Sequence, residues 1–319
     1  MWTHRFAIVT AVLTWFLLLL SGIAHRTDSS LACLDWPLCS SPLFTAAGGG
    51  VPVEQGRRLV AALVGFFTVV TCGAALGDGR RSHGAVPVLA ALAFGLAMLQ
   101  GVVGDGAVFD RLPTLLSWGQ HSIPMLFFAT LIAIAGLTRH AVLGQALHRR
   151  DEVPRFSHGL LLLTTGLAFL QMVLGGIVRH SGGGLACLDI PLCRGSLLPL
   201  GEHPAVVMHA AHRLNGLVFA LCLFVTAPRL RSQLRRESDA SHRVLLTVLP
   251  LLTLLQIGLG ILSVWSYLGL FYVAAHLGIG ALILGGLVLL CLRLRPAREY
   301  GRGATGGLAI VGGQGGVLS

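Results

Sequence analysis

The sequence predicts an all-α, polytopic membrane protein of eight transmembrane helices, built as two tandem four-helix bundles. Three observations predict it. Apolar residues make up 54% of the 319-residue chain and charged residues 11%, more apolar surface than one water-soluble core can hide. Eight segments reach the roughly 17 to 25 apolar residues needed to cross a hydrocarbon core. A nonapeptide also recurs: Leu31-Ala32-Cys33-Leu34-Asp35-Trp36-Pro37-Leu38-Cys39 returns 154 residues later as Leu185-Ala186-Cys187-Leu188-Asp189-Ile190-Pro191-Leu192-Cys193. Gly22 with Gly176, Arg58 with Arg213, Gln100 with Gln256 and His121 with His276 keep the same offset to within two residues.

The first span, about 7–24, follows a basic start and alone reads as a secretory signal. Residues 158–178 hold the equivalent place before the second cysteine loop and cannot be a signal, so the first span is expected to stay as a helix. The second span, 58–76, opens just after Glu54, the third covers 87–104, and the fourth, 119–138, carries His121. The fifth, 158–178, leads into the second cysteine loop, and the sixth, 206–227, carries His209 and His212. The seventh covers 245–264 and the eighth, 271–292, carries His276. Residues 1–140 thus form an N-terminal half and 158–295 a C-terminal half, joined by an arginine-bearing linker at 141–157 that contains Pro154. The glycine-rich tail, 296–319, has little amphipathic pattern and is expected to be disordered.

The formal charge of +10 is carried by arginine alone, with no lysine. Placing both termini inside puts 16 of the 23 arginines inside and 7 outside, which satisfies the positive-inside rule. The expected location is therefore a cell (inner) membrane, multi-pass, with cytoplasmic termini and the cysteine loops on the outer face. The charge sets topology and does not point to nucleic acid.

Cys72, Cys222 and Cys291 lie in apolar spans and read as packing residues. Cys33 with Cys39 and Cys187 with Cys193 lie in the outer loops, each pair with a proline between them. In an oxidising compartment each pair can close a loop-stapling disulfide or exchange with thiols. Four thiolates could also hold zinc, but C-x5-C is not the usual zinc spacing.

Histidine inside a spanning helix is expensive and marks function by default. His212 and His276 enter from the same side on two helices and can face one another at one depth, the arrangement of a bis-histidine haem. His121 holds the place of His276 in the first half. At the start of the second span, Glu54-Gln55-Gly56-Arg57-Arg58 aligns with His209-Ala210-Ala211-His212-Arg213. Glu54 shares a helical face with residues 57 and 58, either as an interfacial salt bridge to Arg58 or as a proton acceptor or charge stabiliser beside a macrocycle. Arg58 and Arg213 are candidates for holding haem propionates.

The loop at residues 26–39, the Glu-x-x-x-Arg start of the second span, the paired histidines and the duplicated layout together resemble the haem A synthases, the Cox15/CtaA family, over nearly all of residues 5–295. The resemblance implies oxidation of the C8 methyl of haem O to the formyl group of haem A, for cytochrome oxidase assembly. It implies a substrate haem in the N-terminal half and a haem B cofactor in the C-terminal half. The family's catalytic glutamate falls on Glu54, its C-terminal ligands on His212 and His276, and a distal N-terminal ligand on His121. A haem O synthase is the expected donor of substrate. The electron acceptor and any homo-oligomer are left open, and the second haem or the Cys33/Cys39 pair could serve as electron outlet.

One position departs from the family pattern Glu-x-x-His-Arg: Arg57 stands where the first histidine ligand belongs, and a guanidinium that keeps its proton does not ligate iron. His121 would then hold the substrate haem alone or with a neighbour such as His25, and Arg57 could instead bind a propionate or pair with Glu54. Two other readings fit parts of the pattern. A membrane cytochrome b-like electron carrier explains His212 and His276 but leaves Glu54 without a role. A transporter built from repeats explains the duplication, although no broken helix is evident.

Overall fold

The computed structural model describes residues 2–26, 50–78, 84–104, 114–143, 151–234 and 240–297. It contains eight long helices: α1 (Trp2–Arg26), α2 (Gly50–Gly77), α3 (Ala85–Gly104), α4 (Thr114–Leu143), α5 (Arg155–His180), α6 (Pro204–Gln233), α7 (Ala240–Trp265) and α8 (Leu270–Arg293). All eight are long and apolar enough to cross a membrane. They exceed the expected spans at most ends, because the apolar count stops where polar caps and arginines begin while the backbone hydrogen bonding continues. α6 shows this: His203 caps its first turn by accepting from Ala205 N–H, and Pro204 fills a position whose N–H would be unpaired in any case.

In lipid each backbone polar group must be satisfied within its own segment, so apolar runs of this length become helices. Their hydroxyls obey the same constraint. Thr10 donates to Phe6 O, Thr68 to Val64 O and Thr253 to Leu249 O, each at 2.9 Å or less, returning a polar side chain to its own helix.

α8 lies at the centre, with half of its apolar window buried, whereas α2, α3 and α7 each bury 22% and form the rim. Within the first half α1 packs on α2 and α4, and within the second α5 packs on α6 and α8; the halves meet through α1, α4, α5 and α8. The shared core is built of Phe127, Leu131 and Ile134 on α4 against Leu284, Leu287 and Leu290 on α8, all fully buried. Exposed apolar side chains such as Leu59, Phe66, Val88 and Leu251 lie on the rim helices, where a bilayer is their solvent. Two polar contacts recur at equivalent places: Thr10 meets Thr71 at 3.2 Å between α1 and α2, and Thr164 meets Thr226 at 3.1 Å between α5 and α6.

At the end opposite the second cysteine loop, β1 (Asp151–Val153) pairs in parallel with β2 (Leu294–Pro296). Ala297 N–H donates to Val153 O at 2.8 Å, and His242 Nδ1 lies 2.9 Å from Asp151 Oδ2. The linker is thereby tied to the end of α8, a pairing that its short, charged sequence does not announce. Residues 298–319 of the expected disordered tail lie outside the described residues.

The α1/α8 seam depends on a small residue. Trp15 Nε1 donates to Gly278 O at 3.0 Å, and a Cβ on Gly278 would stand 2.7 Å from Leu19 Cδ2 and 3.4 Å from the Trp15 ring. Gly278→Val should therefore lower stability by about 1–3 kcal/mol through overpacking, with Gly278→Ala costing less because the Leu19 methyl can rotate away. Thermal unfolding of the two variants in detergent measures the difference.

Candidate functional site

The second cysteine loop begins where α5 ends. Gly182 takes a left-handed conformation (φ 66°) that only glycine adopts freely, and the chain then makes a short turn over Gly183–Leu185. Cys187 and Cys193 form a disulfide buried with Val206 and Ala210 at the start of α6. The corresponding pair, Cys33 and Cys39, lies outside the described residues.

Arg213 holds this loop from below. Its guanidinium donates to the backbone carbonyls of Asp189, Leu192 and Cys187, so its role here is loop anchoring by charge-assisted hydrogen bonds. Gly195 N–H donates to the exposed Asp189 carboxylate at 3.1 Å. That bond, reinforced by Arg213, holds the Asp189 carboxyl below its ordinary range. With the folded value depressed, its contribution to loop order is complete at neutral pH. It is lost only as pH falls through and below the usual carboxylate range of about 4.

Beneath the loop lie His212 and His276. His212 sits about two turns into α6, and its ring centre is 6.4 Å from that of His276, with the planes at 64°. His276 Nδ1 lies 3.1 Å from Gln256 O. A carbonyl can only accept, so Nδ1 carries the proton and Nε2 presents a lone pair. Gln256 Nε2 returns a bond to His276 O at 2.8 Å. On the other side, Asn215 Nδ2 donates to Gln171 Oε1 at 2.8 Å, which turns Gln171 Nε2 toward His212 Nε2 at 3.2 Å. His212 Nδ1 is buried with no hydrogen-bond partner. Each ring rests on a glycine: a Cβ on Gly175 would stand 3.1 Å from His212 Cε1, and one on Gly260 would stand 3.1 Å from His276 Cε1.

Two imidazoles, one held by a backbone carbonyl and one by an amide side chain, and both seated on glycines, are a suitable donor set for a haem iron. The spacing fits as well. With metal–imidazole bonds of about 2 Å, and each ring centre a little over ~1 Å behind its nitrogen, ligands of one metal have ring centres about 6 Å apart. His209, one turn before His212, is buried and donates from Nδ1 to Gly183 O at 2.7 Å, tying α6 to the loop.

The first half is built differently at the equivalent positions. Glu54 is almost fully buried, and both of its oxygens are engaged. Arg57 Nε reaches Oε2 at 2.8 Å, while Arg57 Nη2 and Arg58 Nε reach Oε1 at 2.5 and 2.9 Å. The sequence offered a partnership with Arg58 and one with Arg57, and the structure has both, the contact with Arg57 being forked. His121 packs against α5, where a Cβ on Gly176 would stand 2.7 Å from His121 Cβ. Sequence reasoning singled out neither His180, which lies beside His121, nor the Gln171–Asn215 pair behind His212. His180 is masked by the repeat, since the first half has Arg26 and His25 at that place. Gln171 and Asn215 become visible only once α5 and α6 are packed.

Comparison with known proteins places these residues in context. Residues 52–288 match the family model described as cytochrome oxidase assembly protein, COX15-CtaA. Among similar proteins, one from Symbiobacterium thermophilum named heme A synthase is 33% identical over 86% of this chain and 89% of its own length. Another of that name, from Exiguobacterium sibiricum, is 30% identical over 73% and 78%. A third, from Geobacillus thermodenitrificans, is 29% identical over 93% and 94%.

The Arg213 anchor makes a measurable claim. Arg213→Gln removes three charge-assisted bonds, of which the part-buried one to Cys187 O is worth about 1.5–3 kcal/mol and the two exposed ones less. The Cys187–Cys193 disulfide should then be reduced by dithiothreitol at least about tenfold faster than in the unaltered chain, as followed by thiol labelling of the two cysteines.

Proposed function

The chain belongs to the cytochrome oxidase assembly protein family COX15-CtaA, and on that premise we propose that it converts haem O to haem A within the membrane by oxidising the C8 methyl group to a formyl group. The observation that carries this reading is the His212/His276 pair, with ring centres 6.4 Å apart in a chain matched by the family over residues 52–288. His212 and His276 would hold a haem B, which supplies one-electron redox chemistry when bound. The first half, with His121 and Glu54, takes haem O as substrate. The two halves descend from one duplicated four-helix unit, a reading that the Thr10/Thr71 and Thr164/Thr226 contacts support.

Each residue's task follows from its surroundings. The Gln256 backbone carbonyl fixes the His276 ring through Nδ1 and leaves Nε2 open, whereas Gln171 positions the His212 ring by donating to its Nε2, a bond that a bound iron would have to displace. The buried helices around both sites exclude bulk water, which strengthens every charge interaction there. Conversion of a methyl to a formyl group is a four-electron oxidation through two hydroxylations and loss of water, so electrons must pass to an external acceptor, through the haem B if it is the outlet, and protons must leave at the methyl carbon. Glu54, where the family's catalytic glutamate falls, is the side chain proposed to take them. A carboxylate forked between Arg57 and Arg58 is a poor proton acceptor, because its lone pairs are occupied. Anionic propionates of the substrate compete for those guanidinium groups: one that takes over Arg58 leaves Oε1 with a single donor, and one that takes over Arg57 frees Oε2 of Glu54. Substrate binding thereby arms the base.

Sidedness follows from charge. The excess of arginine on one side favours cytoplasmic termini and places the cysteine loops and both histidine pairs at the outer face. Haem O arrives laterally through lipid or from a synthase that makes it. A cytochrome b-like carrier shares the His212/His276 pair but has no use for a buried, doubly paired Glu54.

The chain purified from cells that also make haem O should yield haem A on extraction and mass analysis. Glu54→Gln should lower haem A formation about 10²-fold or more while the total haem bound stays unchanged. Extracts containing haem B alone, with no haem A or hydroxylated intermediate, would sink the synthase reading and leave the carrier.

A further inference from the structure

Arg57 leaves the first half without the imidazole that its family pattern places on α2, yet the structure puts another histidine beside His121. The ring of His180, the last residue of α5, has its centre 6.4 Å from that of His121, with the planes at 70°. The His212/His276 pair has the same 6.4 Å separation and a similar angle of 64°. We infer that His180, reaching across from the second half, is the second axial ligand of the haem bound in the first half, replacing the α2 ligand lost to Arg57.

Three observations carry this. The first is the equal spacing, which matches what two imidazoles on one metal require, about 6 Å between ring centres. The second is the seat. Gly176 lies one turn before His180 on the same face of α5, and a Cβ there would stand 2.7 Å from His121 Cβ and 2.9 Å from its Cγ. Only glycine lets α4 approach α5 closely enough to bring the two rings to this distance, just as Gly175 and Gly260 seat His212 and His276. The third is that position 57 is committed elsewhere: the Arg57 guanidinium is forked onto Glu54, and being permanently protonated it offers no lone pair. An interfacial histidine at a helix C-terminus can also serve as a simple cap. A cap, however, has no need of a second imidazole at ligand spacing across a glycine seat.

The inference rests on the reading that the first half holds a haem, and the test separates the two. The full-length chain in detergent is titrated with ferric haem B and its low-spin signals are read by electron paramagnetic resonance. Two low-spin species are expected. His212→Ala should remove one, and His180→Ala should convert the other to a high-spin signal while leaving the His212/His276 species intact as an internal control of folding. Added imidazole should restore the lost signal. His180→Met provides a variant that can still ligate: it should keep a low-spin haem, with a more positive midpoint potential for that haem alone.

One haem per chain, lost with His212→Ala, overturns both this inference and the first-half haem. Two haems whose low-spin signals and potentials ignore His180→Ala and His180→Met overturn the inference while sparing the function. If His180→Ala abolishes both species by unfolding, the His180→Met potential decides: a value equal to that of the unaltered chain rejects His180 as ligand.

Discussion

Close approach to helix α5 is the constraint on which the functional end of the molecule depends. In lipid there is no hydrophobic force to pull helices together, so the size of the residues at a seam decides how near two backbones come. Gly175 and Gly176 are consecutive, and successive residues on an α-helix point about 100° apart. One glycine faces His212 in the second half, and the other faces His121 in the first. A methyl group at either position would press on an imidazole. α5 is therefore a wall common to two histidine pairs, and its two glycines fix how both pairs sit.

Around that wall the halves solve the same packing problem with different chemistry. The second half places His209, His212 and Arg213 where the first places Glu54, Arg57 and Arg58. In the second half the arginine is drawn away to the disulfide loop, and the histidines are set by amide and carbonyl partners that carry no charge. In the first half the three side chains form one ionic cluster with two guanidinium groups on one carboxylate. The second half thus presents imidazoles fixed by uncharged partners. The first presents a charged cluster that an anionic ligand can rearrange, which suits a substrate that must come and go.

Much of this was legible in the sequence, for physical reasons that also explain what was not. Eight spans were readable because lipid demands unbroken apolar length, and the pairing of His212 with His276 was readable because two like residues at one depth seldom serve packing alone. The Glu54–Arg58 contact follows from helical spacing. The strand pairing of Asp151–Val153 with Leu294–Pro296 joins segments far apart in the chain and too short to show periodicity. His180 was hidden for a different reason: comparing the halves looks for what they share, and this histidine matters through a contact between them. The Arg213 anchor was hidden because its partners are backbone carbonyls, which every loop possesses.

Arginine at position 57 changes more than a ligand. A guanidinium at the edge of the hydrocarbon region is tolerable only when paired, and Glu54 is the acidic group within reach on the same helical face. The carboxylate is likewise tolerable in a nearly fully buried position because two cations meet it; breaking such a cluster from one side strands a charge at a cost of several kcal/mol. The ion pair therefore stabilises the start of α2 and restrains the Glu54 carboxylate. In the proposed role of Glu54 as base, proton transfer has to begin with the loss of a guanidinium contact, and an anion that binds Arg57 or Arg58 in its place offsets that loss. A substrate carrying two carboxylates supplies such an anion, which makes the substitution compatible with turnover provided that the missing imidazole is replaced from elsewhere in the chain.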